Sequence, residues 1–139
     1  MSKVVINNCV MKGQPVYEHA VNVGDTYECL PETNNSNDAK AIAVRSTSNE
    51  VIGHVPVNLC DYVSDLFTRF PGKLVMLCQI TSLPLPSHPP WPWMWQPSGG
   101  IIVPCNYILL CDPKDHLLIY QILHAAIVFA PGSYVTIEP

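Results

Sequence analysis

Between Glu32 and Leu59 the sequence alternates turn and strand signals so closely that few folds can accommodate it. The run Asn34-Asn35-Ser36-Asn37-Asp38 favours a turn, because each short polar side chain can bond the nearby backbone. Ala41-Ile42-Ala43-Val44 then reads as a strand, Ser46 to Glu50 as a second turn, and Val51-Ile52-Gly53-His54-Val55 as a second strand. Pro56 closes that strand and opens a helix. Local chemistry agrees at each step, which is the mark of a segment with one preferred structure.

The helix that follows carries apolar residues at Leu59, Tyr62, Val63, Leu66, Phe67 and Phe70, the spacing of a single buried face, and Pro71-Gly72 ends it. Most other segments are short and apolar. Residues 3–11 read as a strand or strand pair around Asn7-Asn8. Val16 to Val23 alternates in part, and Gly24-Asp25 makes a hairpin-type turn. Thr26 to Leu30 alternates cleanly up to Pro31, and Lys73 to Ser82 is a buried strand. Ile101 to Cys111 is another strand, in which Pro104 suggests an edge or a bulge. Asp112 resembles an N-cap with Pro113 at the first helical position of a helix over 114–126. That segment is apolar nearly all round, so a strand over 117–129 also fits. Tyr134 to Ile137 adds a last strand. Fourteen prolines against seven glycines fit many strand ends and stiff loops, and the expected class is mainly β with one or two helices.

Residues 84–100 differ from the rest. Six prolines exclude helix and internal strand pairing, leaving a loop of partly polyproline character that holds Trp91, Trp93 and Trp95. Three readings stand: a hydrophobic lid, an aromatic platform on which bases or a partner stack, and a proline-rich ligand for another domain.

Charge bears on partners. The seven basic residues are scattered and the net charge is −4, so a broad electrostatic footprint for long nucleic acid is not expected. Recognition of a short end or a single nucleotide remains compatible. Six cysteines without CxxC spacing read as reduced core thiols rather than metal ligands, so no metal or cofactor is expected. No nucleophile–base spacing, phosphate-cradling glycine loop or paired-carboxylate arrangement appears, which argues against an enzyme. The N-terminal residues lack a signal-peptide apolar core, and the apolar run 117–130 is too short to span a bilayer. An intracellular protein, nuclear or cytoplasmic, is expected.

Glu32 to Val44, followed by Val51-Ile52-Gly53-His54-Val55-Pro56, resembles the core motif of the HIRAN domain, in which an Asn pair and an Asp precede one strand and a Gly-His pair ends the next. Gly24-Asp25 with Cys29-Leu30 looks like the lead-in to that core, and Leu59 to Phe67 looks like its helix. Gly99-Gly100-Ile101-Ile102-Val103-Pro104-Cys105 is similar to a segment of animal HIRAN-like proteins. The resemblance implies a small, partly open OB-like β-barrel with one or two flanking helices. The barrel would occupy residues 1–111, with 112–139 as a helix/strand extension packed on the same domain.

It also implies a non-enzymatic module that recognises a single-stranded 3′ DNA end. Asp38 would lie at the terminal hydroxyl, Asn34 and Asn35 would form the pocket wall, and His54 would stand beside it. Tyr17 would stack on terminal bases, and the tryptophan loop would supply another aromatic. The chain departs from the family where a basic-Tyr-Tyr run is replaced by Val16-Tyr17-Glu18-His19, and where Lys40 replaces an Asn. From the residues alone, His54 also reads as a structural histidine. The alternative function is a protein-interaction or self-assembling module, homo-oligomeric or bound to another protein through the Trp/Pro loop or the apolar C-terminal segment.

Overall fold

The computed structural model describes residues 1–13, 21–32, 40–86, 101–129 and 132–138. Its strands are β1 (Ser2–Gly13), β2 (Thr26–Pro31), β3 (Ile42–Arg45), β4 (Val51–His54), β5 (Val75–Ile80), β6 (Leu85–Pro86), β7 (Ile101–Cys111) and β8 (Tyr134–Glu138). The helices are α1 (Val57–Arg69) and α2 (His116–Ala126), the latter extended by a 3-10 turn over Ile127–Phe129. The strand order is β6-β7-β5-β2-β3-β4-β1-β8, and an additional β7–β1 pairing closes six strands into a barrel. All pairings are antiparallel. β6 and β8 lie outside the ring, on β7 and β1.

Among the described residues, the seam between β1 and β4 has two register pairs, Lys12↔His54 and Gly13↔Gly53. Glycine is required there. A Cβ on Gly53 would lie 2.5 Å from the Lys12 carbonyl oxygen and 2.6 Å from Met11 Sδ. The close approach of the two backbones therefore depends on the missing side chain.

β1 serves two neighbours because it bends. Its register with β7 shifts between Ile6 and Cys9, and Asn8 has a positive φ of 57°. Asparagine tolerates that left-handed conformation better than most residues. The extra residue reverses the strand's phase: Val4 and Ile6 face the core before the bulge, Cys9 and Met11 after it. The first half of β1 then pairs with β8 and its end pairs with β4. The Asn pair also fastens β8. Asn7 Nδ2 donates to Thr136 Oγ1 at 3.1 Å, Asn8 Nδ2 to the Gly132 carbonyl at 3.2 Å, and Ser133 Oγ donates to the Asn8 carbonyl at 2.7 Å.

α1 docks through Leu59, Val63 and Leu66, fully or nearly buried, with Tyr62, Phe67 and Phe70 partly buried beside them. Each such aliphatic side chain contributes about 1.5–3 kcal/mol on burial. The 117–129 region is helical, and Ile119, Leu123 and Ala126 enter the core. The helix starts later than the sequence suggests. Asp112 Oδ1 accepts from Lys114 N–H at 3.0 Å and so caps a turn, while α2 itself begins at His116 with Asp115 as its N-cap residue.

Pro104 lies in a strand paired on both sides rather than at an edge. Its carbonyl accepts from Thr81 N–H at 2.9 Å, just beyond the last β5–β7 pair, Ile80↔Cys105. In an antiparallel strand a residue's N–H and C=O point the same way. The missing donor therefore faces the point where the β5 ladder has ended. The Asn22–Asp25 turn, with Gly24 at φ 94°, is held to the end of β5 by Gly24 N–H on the Ile80 carbonyl and Ile80 N–H on the Asp25 carbonyl.

All six cysteines are free and buried. Burial pushes the thiols of Cys9, Cys29 and Cys105 well above their ordinary range. Tyr107, whose hydroxyl donates to the Val10 carbonyl at 2.8 Å, is raised in the same way, first by burial and then by Cys105. Protonated thiols of this kind are small core hydrophobes and poor nucleophiles. Among the described residues, no group of three or more His, Cys, Asp or Glu side chains is arranged to hold a metal ion. No described helix is long and apolar enough to cross a membrane.

Candidate nucleic-acid interface

A concavity of about 200 Å³ opens where β1, β3 and β4 reach one end of the barrel and α1 begins. Ala41, Ile42, Val55, Val57 and Cys60 supply its apolar lining, and Lys12 and His54 its polar groups. The two polar side chains belong to register partners across the β1–β4 seam, so both project to the same side of the sheet. The barrel closure itself creates this pairing, from residues forty-two positions apart in sequence, the difference between 54 and 12.

His54 Nε2 donates to the Glu32 carboxylate, and both side chains are largely buried, at 27% and 20% exposure. Glu32 also donates its backbone N–H to the Ala41 carbonyl at 2.8 Å. The β2–β3 connection is thus clamped at its neck by one backbone bond, and its first residue is tied to the end of β4. At the other side of the neck, Lys40 Nζ lies 3.7 Å from Asp61 on α1, a pair exposed enough to contribute little to stability.

Of the residues singled out from sequence, His54 lies in this pocket. Tyr17, Asn34, Asn35, Asp38, Trp91, Trp93 and Trp95 lie outside the described residues. The ends of the three segments that carry them are described, and they meet at this end of the barrel. Segment 14–20 leaves from Gly13, the register partner of both Gly53 and Ile101. Segment 33–39 leaves from Glu32 and returns beside Ala41. Segment 87–100 joins Pro86 to Ile101, which are themselves register partners.

Lys12 was not singled out by sequence reasoning, which saw only scattered basic residues. Strand alternation could have found it: Met11 points into the core, so Lys12 points out, one residue before the break at Gly13-Gln14-Pro15.

The family model of the HIRAN domain matches residues 5–82. Among solved structures, the fold is similar to that in the crystal structure of the HIRAN domain of human HLTF, with a TM-score of 0.63. That similarity covers 90% of this chain and 93% of the other at 12% sequence identity. No curated protein matches the sequence.

Proposed function

The chain belongs to the HIRAN domain family, in general a family of DNA-binding, non-catalytic modules, and on that premise we propose that it binds a single-stranded 3′ DNA end at the barrel mouth. The observation that carries the reading is the convergence of the three segment ends on the pocket lined by Lys12 and His54. An apolar floor flanked by the Lys12 ammonium and the His54 imidazole suits a nucleotide, whose base and sugar need contact area and whose phosphate needs a positive charge.

In this reading Asp38 accepts from the terminal 3′-hydroxyl, and Asn34 and Asn35 hold the sugar and backbone. Tyr17 and one of Trp91, Trp93 and Trp95 stack on bases at roughly 1–3 kcal/mol each. Lys12 and His54 face the terminal phosphodiester, and Lys12 supplies a positive charge near the end of the first strand. Residues 1–111 form the binding unit, and 112–139 brace it.

Titration of the intrinsic tryptophan fluorescence with short single strands tests this directly. Strands ending in a 3′-hydroxyl are expected to bind in a strongly salt-dependent way, strands ending in a 3′-phosphate to bind much more weakly, and Asp38→Ala to remove the difference. Equal affinity for the two ends would eliminate end recognition. A second reading, a protein-interaction or self-assembling module, is favoured by the exposed, uncharged face of α2.

A further inference from the structure

We propose that Cys9 and Cys105 form a disulfide when the chain folds in the presence of a low-molecular-weight disulfide such as oxidised glutathione, and that the folded barrel then preserves whichever state it closed on. The two residues are register partners in the β1–β7 pairing, at the first pair beyond the bulge. Both side chains enter the core, at 2% and 0% exposure. Residues directly opposed in an antiparallel pair stand about 4.5–5.5 Å apart at Cα, within the roughly 4.4–6.8 Å that a disulfide spans.

Register also separates this pair from the other thiols. Cys78 faces Tyr107 while Cys105 faces Ile80, so Cys78 and Cys105 are diagonal neighbours on β5 and β7. Diagonal neighbours stand roughly 7–8 Å apart at Cα, too far to be bridged without moving the backbone. Their thiols hydrogen-bond instead. Cys29 faces Val44 and Met76, Cys111 faces Ser2, and the Cys60 thiol on α1 donates to the Val55 carbonyl at 3.4 Å. Among the described residues, Cys9 and Cys105 are thus the cysteines set opposite each other across a ladder.

Burial decides when the bond forms. A thiol attacks as its thiolate, and an oxidant the size of glutathione cannot reach sulfurs inside a packed core. In the unfolded chain one cysteine thiolate attacks oxidised glutathione and releases one glutathione thiol, leaving a mixed disulfide. As β1 pairs with β7, the second cysteine thiolate attacks the chain sulfur of that mixed disulfide, and the other glutathione leaves as its thiol. The chain gives up two electrons and two protons, and oxidised glutathione takes them to become two thiols. Packing favours the second step, because a glutathionyl group does not fit where a thiol fits. The same burial then shields the bond from reductants.

Refolding from urea is the test. Diluted into reduced and oxidised glutathione and then alkylated under denaturing conditions, the wild-type chain should show four alkylated cysteines of its six, and peptide mapping should join Cys9 to Cys105. Six alkylated cysteines, or a bond between any other pair, overturns the proposal. The native chain held in the same buffer for the same time should keep all six thiols, and equally fast oxidation overturns the claim that the state is set on folding. The bond closes most of the chain into one loop, so the urea midpoint of the oxidised protein should rise by about 1–3 M. An unchanged or lower midpoint means that the pair closes only with strain and overturns its fit to the register. Cys105→Ala should yield no disulfide, and a bond among its remaining cysteines overturns the assignment.

Discussion

Replacing Gly53 by alanine tests the seam on which both the barrel and the candidate site depend. The added methyl would sit 2.5 Å from the Lys12 carbonyl oxygen and 2.6–2.7 Å from Met11 Sδ and Cγ. These separations are roughly 0.8–1.5 Å short of ordinary contact. Met11 can change rotamer, although it is fully buried, but the Lys12 oxygen belongs to the backbone of β1 and moves only if the strands part. Overpacking of this kind costs about 1–3 kcal/mol. Weakening the bonds at the Lys12↔His54 and Gly13↔Gly53 pairs of this seam adds about 0.5–1.5 kcal/mol for each bond lost.

The expected total is about 3 kcal/mol. With a urea m-value of about 1.5 kcal/mol/M, the unfolding midpoint should fall by about 2 M at constant m. Oligonucleotide affinity should fall as well, even under conditions where the variant is fully folded, because Lys12 and His54 would be drawn apart. A midpoint shift under about 0.5 M would show that the seam yields freely and that close backbone approach is not what holds the ring closed.

Other outcomes follow from the same geometry. Asn8→Ala should cost about 1–2 kcal/mol in urea unfolding, because alanine resists a φ of 57°, whereas Asn8→Gly should cost less. Lys12→Ala should weaken single-strand binding and reduce the slope of log K against log salt by about 0.7, one phosphate contact's worth. Glu32→Ala should weaken binding more than Glu32→Gln, since glutamine retains an acceptor for His54 and both keep the backbone bond to Ala41; equal losses would show that the side-chain tie does not order the site. Raised thiol pKa values in the native state mean that the unfolded chain gives up protons first as pH rises. Stability should therefore hold up to about pH 8 and fall above the unfolded thiol pKa of about 8.5, and the thiols should react with an aromatic disulfide only on unfolding.

Much of the fold was legible locally. The α1 stripe, the strands on either side of the Ser46–Glu50 turn, and the strand over 101–111 are each encoded by periodicity and flanking turn residues that require no distant partner. The helix over 116–126 was harder, because a segment apolar on nearly every side has no period to read, and only its placement over the core and beside β8 decides between helix and strand. Pro104 misled for a related reason. A proline signals a missing donor, but whether that donor is missed depends on where the neighbouring strand stops.

By itself, the sequence determined the class, the position of the polar connection between β2 and β3, and the likeness to one family, because these rest on side chains acting on their own backbone. Only the tertiary structure decided what stands around that connection. The bulge at Asn7-Asn8 turns β1 so that its last residues reach β4, and Gly53 lets the two backbones close. That contact sets Lys12 beside His54 and brings the described ends of three chain segments to one mouth. Pairings between distant residues depend on strand register and backbone clearance, which no local pattern contains.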